Sequence, residues 1–422
     1  MMRPDTSGDA RNEVTNMKDM ESVYDANALL DAFRQAKKGT AWKESVQRYE
    51  MNLLRNINHT QKELANGTYE QKDFYEFSLS ERGKTRHIKS MHISDRVVQR
   101  SVCDNVLIPE LQRYLIYDNG ASMEGKGIHF ARKRLSTHLH RYYRKHKSNG
   151  GYILLIDFSK FFDNINHEPL IEAMRNKIGD TETMSFVEKL IDTFKIDVSY
   201  MTDEEYKESL NTLYNALEYA KIDEEELTGQ KFMKKSVGIG SQISQISGVF
   251  YPTRIDNYCK IVKGMKYYGR YMDDIYIIHE DKEYLKQLLK EIEQICDELG
   301  LFINAKKTQI IKLSKGFTFL KIKYSLTDTG KVVQRVSRDS VTRMRRKLKK
   351  LRIKLDQGEI GFEDVRCAYN SWRGSVAHYD SYTTLKNMDK LFDELFIEPF
   401  IEGGYNNERE TENGTRNQRL GK

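Results

Sequence analysis

Two apolar runs interrupted by aspartates constrain this chain most. Tyr152-Ile153-Leu154-Leu155-Ile156 is continuously apolar and stops at Asp157. Such a run reads as a strand buried on both faces. After a further 116 positions, Tyr271-Met272-Asp273-Asp274 breaks a second apolar stretch, between Tyr268-Gly269-Arg270 and Ile275-Tyr276-Ile277-Ile278. Carboxylates at strand ends and hairpin turns are well placed to converge. Converging carboxylates suit Mg²⁺, a hard cation that takes oxygen ligands and fills its other positions with water and phosphate. Two such ions about 3.5–4 Å apart can activate an attacking hydroxyl and neutralise a leaving pyrophosphate. The competing reading of Asp-Asp is plain turn chemistry. The strand-forming aromatics on both sides, and the second aspartate upstream, favour the site.

The other elements follow in a mixed α+β order rather than an alternating βαβ one. Residues 1–20 are polar and expected to be a flexible N-terminus. Apolar spacing from Val23 to about Leu64 predicts two helices. Residues 74–93 read as a hairpin around Glu81-Arg82-Gly83-Lys84. Asp95 is expected to open a helix that Pro109 interrupts. Residues 131–147 are basic and helical. The segment 197–227 carries ten acidic and two basic residues and reads as a solvated helical insertion. Lys282 to Leu299 is amphipathic and capped by Gly300. From Arg335 to Lys354 there are ten Lys or Arg and one acid, at helical spacing. A helical block around 361–395 precedes a polar tail.

Composition excludes several classes. The 422 residues contain 69 Lys and Arg against 62 Asp and Glu, so the net charge of +7 conceals strong segregation. The four cysteines form no CxxC pair, which speaks against a disulfide framework or a four-ligand zinc site and for a reducing, cytoplasmic compartment. No run of 18 apolar residues, signal peptide or lipidation motif is visible, so no membrane association is expected.

At this point a resemblance enters. Tyr271-Met272-Asp273-Asp274, downstream of Asp157-Phe158-Ser159-Lys160-Phe161-Phe162-Asp163-Asn164-Ile165, resembles the palm of a reverse transcriptase. Arg86-His87-Ile88 with Asp95-Arg96-Val97-Val98-Gln99 resembles the fingers of bacterial, group II intron-like enzymes. Asn119-Gly120-Ala121-Ser122, Leu301 to Thr308, Phe317-Thr318-Phe319-Leu320 and Ser371-Trp372-Arg373-Gly374 resemble further blocks in the expected order, with Lys321 where a glycine is usual. The resemblance covers roughly residues 70–395. It implies a right-hand polymerase with fingers, a palm built on an antiparallel sheet, and a helical thumb. The implied boundaries are N-terminal helices and fingers at 21–115, palm at 116–330 with the insertion at about 197–230, thumb at 335–398 and a disordered tail at 399–422.

The resemblance also implies roles. Asp157, Asp273 and Asp274, with Phe158 beside them, would hold two Mg²⁺ ions, for which Mn²⁺ can substitute. Phe162, five residues after Asp157, stands at the steric-gate position, where a large ring would clash with a ribose 2′-OH and favour dNTPs. Lys84 and Arg86 would grip the triphosphate. Lys307 would protonate pyrophosphate or else remain a solvated surface lysine. Ile239-Gly240, three residues, then Ser244-Gln245 replaces the commoner Gln-Gly and Ser-Pro. Ile239, Gly240, Phe158 and Gln245 are therefore expected at the substrate, the glycine permitting close backbone approach. This form resembles the enzymes of diversity-generating retroelements, which copy an RNA template with errors at adenines.

Arg343, Arg345, Arg346, Lys349 and Lys350 would contact phosphates of a template–primer duplex without reading sequence. The 131–147 cluster, with Tyr142 and Tyr143, is a second candidate. The implied partners are template RNA, primer or cDNA, dNTPs and either a small accessory protein or a second copy of the chain. No RNase H domain or His/Cys-rich endonuclease tail is expected after residue 400. The other readings are a defence-associated enzyme using a noncoding RNA, untemplated or protein-primed synthesis, and a non-catalytic RNA-binding scaffold.

Overall fold

The computed structural model describes residues 19–81 and 83–397. The chain divides into two compact units. The first comprises residues up to 131, 154–277 and 283–309, and the second 132–153, 278–282 and 310 onward. The expectations for residues 1–18 and 399–422 lie outside the described residues.

In the first unit the N-terminal region forms four helices where the spacing predicted two. They are α1 (Met20–Tyr24), α2 (Ala26–Ala36), α3 (Glu44–Met51) and α4 (Leu53–Ala65). Asp25 causes the first break: its carboxylate accepts from the Asn27 and Ala28 N–H groups and caps α2. Met20 is buried and helical rather than frayed. The α2 helix buries Leu29, Ala32, Phe33 and Ala36, one face at i, i+3, i+4, i+7 spacing.

The hairpin β1 (Tyr75–Glu81) and β2 (Lys84–Ser90) pairs from Tyr75↔Ser90 to Glu81↔Lys84. Gly83 takes a left-handed φ of 75° in its two-residue loop. The following helix α5 (Ile93–Val102) opens two residues before Asp95, because the His92 side chain caps the Ser94 N–H. Pro109 does not end the helical path. The chain passes through a π turn at Cys103–Leu107, and Pro109 falls in the first turn of α6 (Ile108–Leu111), where a missing N–H costs nothing. The basic segment forms α7 (Ile128–His146).

The strand β3 (Tyr152–Ile156) is followed by α8 (His167–Arg175) and α9 (Thr181–Asp192). The insertion is helical in part. Its ends pair as two-residue strands β4 (Ile196–Asp197) and β5 (Phe232–Met233), and between them lie α10 (Asp203–Leu210) and α11 (Ala216–Tyr219). A small core of Ile196, Val198 and Met233 is flanked by Tyr200, Met201, Tyr206, Tyr214 and Tyr219. Asp203, Glu204 and Glu205 lie in the first turn of α10, with a Thr202–Glu205 capping box, where negative charge is favourable.

Next come α12 (Gln242–Phe250), α13 (Thr253–Asn257), β6 (Tyr268–Tyr271), β7 (Asp274–His279), α14 (Lys282–Leu299) and β8 (Gln309–Lys312). The central sheet has the order β6-β7-β3-β8, with β6 and β7 antiparallel. The buried stripe of α14 is Leu285, Leu288, Ile292, Ile295 and Leu299.

In the second unit β9 (Phe317–Phe319), β10 (Ile322–Leu326) and β11 (Val332–Val336) form an antiparallel sheet, β11-β10-β9. Arg335 belongs to β11. The basic helix α15 (Arg338–Asp356) starts later, at a Ser337 cap. It packs with α16 (Phe362–Ala377) and α17 (Tyr382–Phe396) around Met344, Leu348, Val365, Tyr369, Met388, Phe392 and Phe396. No helix among the described residues is long and apolar enough to cross a membrane.

Candidate active site

Met272 and Asp273 form the two-residue loop between β6 and β7, with Tyr271 opposite Asp274. Met272 has φ 56°, at a place in a tight hairpin that glycine favours. Such a conformation costs of order 1–3 kcal/mol and persists only where the surroundings enforce it. Arg270 enforces it here. Its guanidinium is buried and donates to the Met272 carbonyl (3.1 Å) and the Val249 carbonyl (2.8 Å). It also grips buried Asp256 through Nε (2.9 Å to Oδ1) and Nη2 (2.6 Å to Oδ2). The Arg270 backbone bonds to Asp118 and Gly120, tying the loop to the Asn119-Gly120 block. Neither Arg270 nor Asp256 was anticipated from sequence. An arginine two residues before the turn is a weak signal, and its partner lies 14 positions upstream.

Asp157 follows β3 directly. Its carbonyl accepts from the Asn304 N–H (2.8 Å), and Ser159 N–H donates to the Phe302 carbonyl (2.7 Å). This antiparallel bridge between Phe158 and Ile303 does not use the Phe158 carbonyl. The Phe158 ring, expected at the substrate, is instead buried and stacked on Phe161 with centroids 5.6 Å apart. Phe158 therefore has only its backbone oxygen to offer a ligand.

Lys307 is exposed, and its ammonium donates to Asp157 Oδ1 at 2.6 Å. The half-buried Asp273 carboxyl is raised above the usual carboxylate range by burial, with Asp157 adding to the effect. Asp274 is pushed up to about 7 by burial, then by Asp273 and Asp157. Lys307 and Lys84 pull both down, but not enough. Among the described residues no group of three or more His, Cys, Asp or Glu forms a ready-made metal cage. Mg²⁺ does not require one, since it binds through one or two carboxylates plus substrate phosphates. A crowded set of carboxylates that already recruits an ammonium group fits such a cation.

Phe162 opens a 3₁₀ turn, Phe162–Asn164, five residues past Asp157. A Cβ at Gly248 of α12 would lie 2.8 Å from its ring and 3.3 Å from Met272 Sδ. Gly248 therefore allows the Phe162 ring to lie close to the Asp273 loop. Lys84 and Arg86 alternate along β2 and so share one face of the hairpin. Lys84 is close enough to influence both Asp273 and Asp274.

The segment before α12 differs from expectation. The Ile239 carbonyl accepts from the Lys89 N–H (3.0 Å), and a Cβ at Gly240 (φ 132°) would come within 2.7 Å of the Lys89 carbonyl. The glycine thus permits a close approach to strand β2. Ile239 is half-buried, and Gln245 is exposed on α12.

In the second unit Arg343, Arg345, Arg346, Lys349 and Lys350 are all exposed on α15. In the α7 cluster Arg132 is already engaged, donating to the Tyr379 hydroxyl (2.7 Å) and the Leu320 carbonyl, and the Tyr143 hydroxyl donates to the Asp328 carbonyl (2.6 Å). Of the two basic stretches, α15 has the more available charge.

The family described as "Reverse transcriptase (RNA-dependent DNA polymerase)" matches residues 71–324, more than half of the chain. No curated protein matches. Among solved structures, apo telomerase from Candida tropicalis is 15% identical, with a TM-score of 0.40 over 68% of this chain and 53% of that one. Telomerase from Candida albicans, in complex with a TWJ fragment of telomeric RNA, is 13% identical, with a TM-score of 0.42 over 76% and 55%. The chain spans little more than half the length of these telomerases.

Proposed function

Since the chain belongs to the reverse transcriptase (RNA-dependent DNA polymerase) family, we propose that it synthesises cDNA on an RNA template by two-metal nucleotidyl transfer. The observation that carries this reading is the electrostatic set of Asp157, Asp273 and Asp274, with Lys307 on Asp157 and the Phe162 ring beside the Met272-Asp273 loop.

In this reading Asp157, Asp273, Asp274 and the Phe158 carbonyl would hold Mg²⁺, or Mn²⁺ in its place. Such ions would supply activation of the primer hydroxyl and neutralisation of charge on the leaving pyrophosphate. Arg270, bonded to the Met272 carbonyl, holds the loop that carries Asp273. Lys84 and Arg86 orient the triphosphate through charge-assisted hydrogen bonds. Lys307 holds a proton beside Asp157 and can supply it to pyrophosphate. Phe162 excludes a 2′-OH. The exposed cations of α15 track the duplex backbone. The finer assignment, a diversity-generating retroelement enzyme, rests on Ile239-Gly240 and Ser244-Gln245. Its template RNA, and any accessory protein or second copy, belong to the same proposal.

The test is primer extension by purified protein with Mg²⁺, on poly(rA)/oligo(dT) and on RNA that copurifies with the chain. Product of template-ordered sequence supports the polymerase reading, and errors confined to adenines support the finer one. Product of the same sequence without any template would overturn both.

A further inference from the structure

The acidic insertion is fastened to the palm through the backbone of residues 212–216. Three buried polar side chains of the first unit hold the backbone of residues 212–216. Asn164 Nδ2 donates to the Tyr214 carbonyl (3.1 Å), and Asn164 Oδ1 accepts from the Tyr214 N–H (2.9 Å). Asp163 Oδ2 accepts from the Ala216 N–H (3.3 Å). Lys235 Nζ donates to the Thr212 carbonyl (2.9 Å). Asn164 is fully buried, Lys235 is 1% exposed and Asp163 is 9% exposed. Side-chain amides paired with a backbone in both directions mimic a β-bridge. Removing one leaves a buried donor and acceptor unmet.

Asn164 and Asp163 complete the 3₁₀ turn that begins with Phe162. Asn164 Nδ2 also donates to the Lys160 carbonyl (2.9 Å), closing the turn on itself. The Phe162 carbonyl is held from the other side by the Val237 N–H (3.1 Å). The α11 end of the insertion packs on β2, the strand that carries Lys84 and Arg86. One small element thus touches both the turn bearing the Phe162 ring and the strand bearing the triphosphate-binding side chains.

We propose that the insertion is a brace for sugar selection: Asn164, through Tyr214, is a positioning residue that fixes the Phe162 ring and so sets discrimination between dNTPs and rNTPs. This rests on the polymerase reading and deepens it. An insertion that was only a solvated excursion would not need three buried polar side chains to anchor it. A ring excludes a 2′-OH only if it cannot retreat by about the size of a hydroxyl, and its backbone turn must then be held from behind.

The experiment measures kcat/KM for dTTP and for UTP on poly(rA)/oligo(dT), with wild-type protein, Asn164→Ala, Phe162→Ala and the double variant. A second route to the same effect is Ala216→Pro. It removes the N–H that Asp163 accepts, at the first position of α11, where proline is tolerated, and after Asn215, whose ψ of 104° suits a pre-proline residue. Asn164→Ala and Ala216→Pro should each raise relative UTP use by about tenfold, the scale of a lost close steric contact. Asn164→Ala should add nothing in the Phe162→Ala background, because both act through one ring. A purely structural role would lower dTTP and UTP use together and leave the ratio unchanged, which would overturn the brace while leaving the polymerase reading intact. If Asn164→Ala does not fold, the Ala216→Pro ratio decides alone. Absence of dTTP incorporation by the wild-type protein would overturn the polymerase reading, and this inference with it.

Discussion

In the folded chain the Asp274 carboxyl is pushed up to about 7 by burial and by the charges of Asp273 and Asp157. An unfolded chain ionises an aspartate near pH 3.9. The folded protein therefore binds more protons between about pH 4 and 7, and this site destabilises it progressively as pH rises through that window. Asp274→Asn removes the titration. The metal-free variant should be more stable than wild type at pH 8 by about 1–2 kcal/mol, discounted for partial exposure, and equal to it at pH 4. Thermal melts at the two pH values test this, and a shift of equal size at both would argue against it. The carboxylates themselves were legible in the sequence because each interrupts an apolar run. Gly240 was legible only as a glycine. Its φ of 132° and the Lys89 carbonyl in its path depend on which strand lies beside it, and a local pattern does not contain that.

At the scale of elements, the β6–β7 hairpin depends on a buried ion pair. Arg270→Met would leave Asp256 buried with only the Tyr268 hydroxyl as partner and no compensating charge, a change that typically costs 3–5 kcal/mol, and would free the strained Met272 loop. Urea unfolding should show that loss, and nucleotide incorporation should fall with it. A change below about 1 kcal/mol would mean the pair does not hold the turn. Helix α15 makes a different prediction. Replacing Arg345, Arg346 and Lys349 with alanine should flatten the log Kd–log salt plot by about 2–3 units, since each phosphate contact contributes roughly 0.7–0.9. An unchanged slope would remove α15 from the nucleic-acid path. Strongly periodic elements such as α14 and α15 were readable from spacing alone. The N-terminal helices and the insertion were not, because caps at Asp25 and Thr202 and side-chain anchors at Asn164 decide where they break. The Arg270–Asp256 pair joins two elements and leaves no periodic trace in either.

At the scale of the whole molecule, the family match covers residues 71–324, and the carboxylate set lies inside it. The three-helix bundle of α15–α17 lies beyond the match, and its assignment as a thumb rests on charge and position in the chain. The proposed polymerase chemistry requires Asp273 and Asp274 to act in a metal-dependent step. The most direct measurement is Mg²⁺-dependent dNTP incorporation on poly(rA)/oligo(dT) by wild-type protein and by Asp273→Asn plus Asp274→Asn. Losing a metal clamp worth several kcal/mol should lower incorporation by at least about 10³-fold. The variant should keep its circular dichroism, melt no lower than wild type and still bind RNA. A variant as active as wild type would show that these carboxylates do not carry the chemistry.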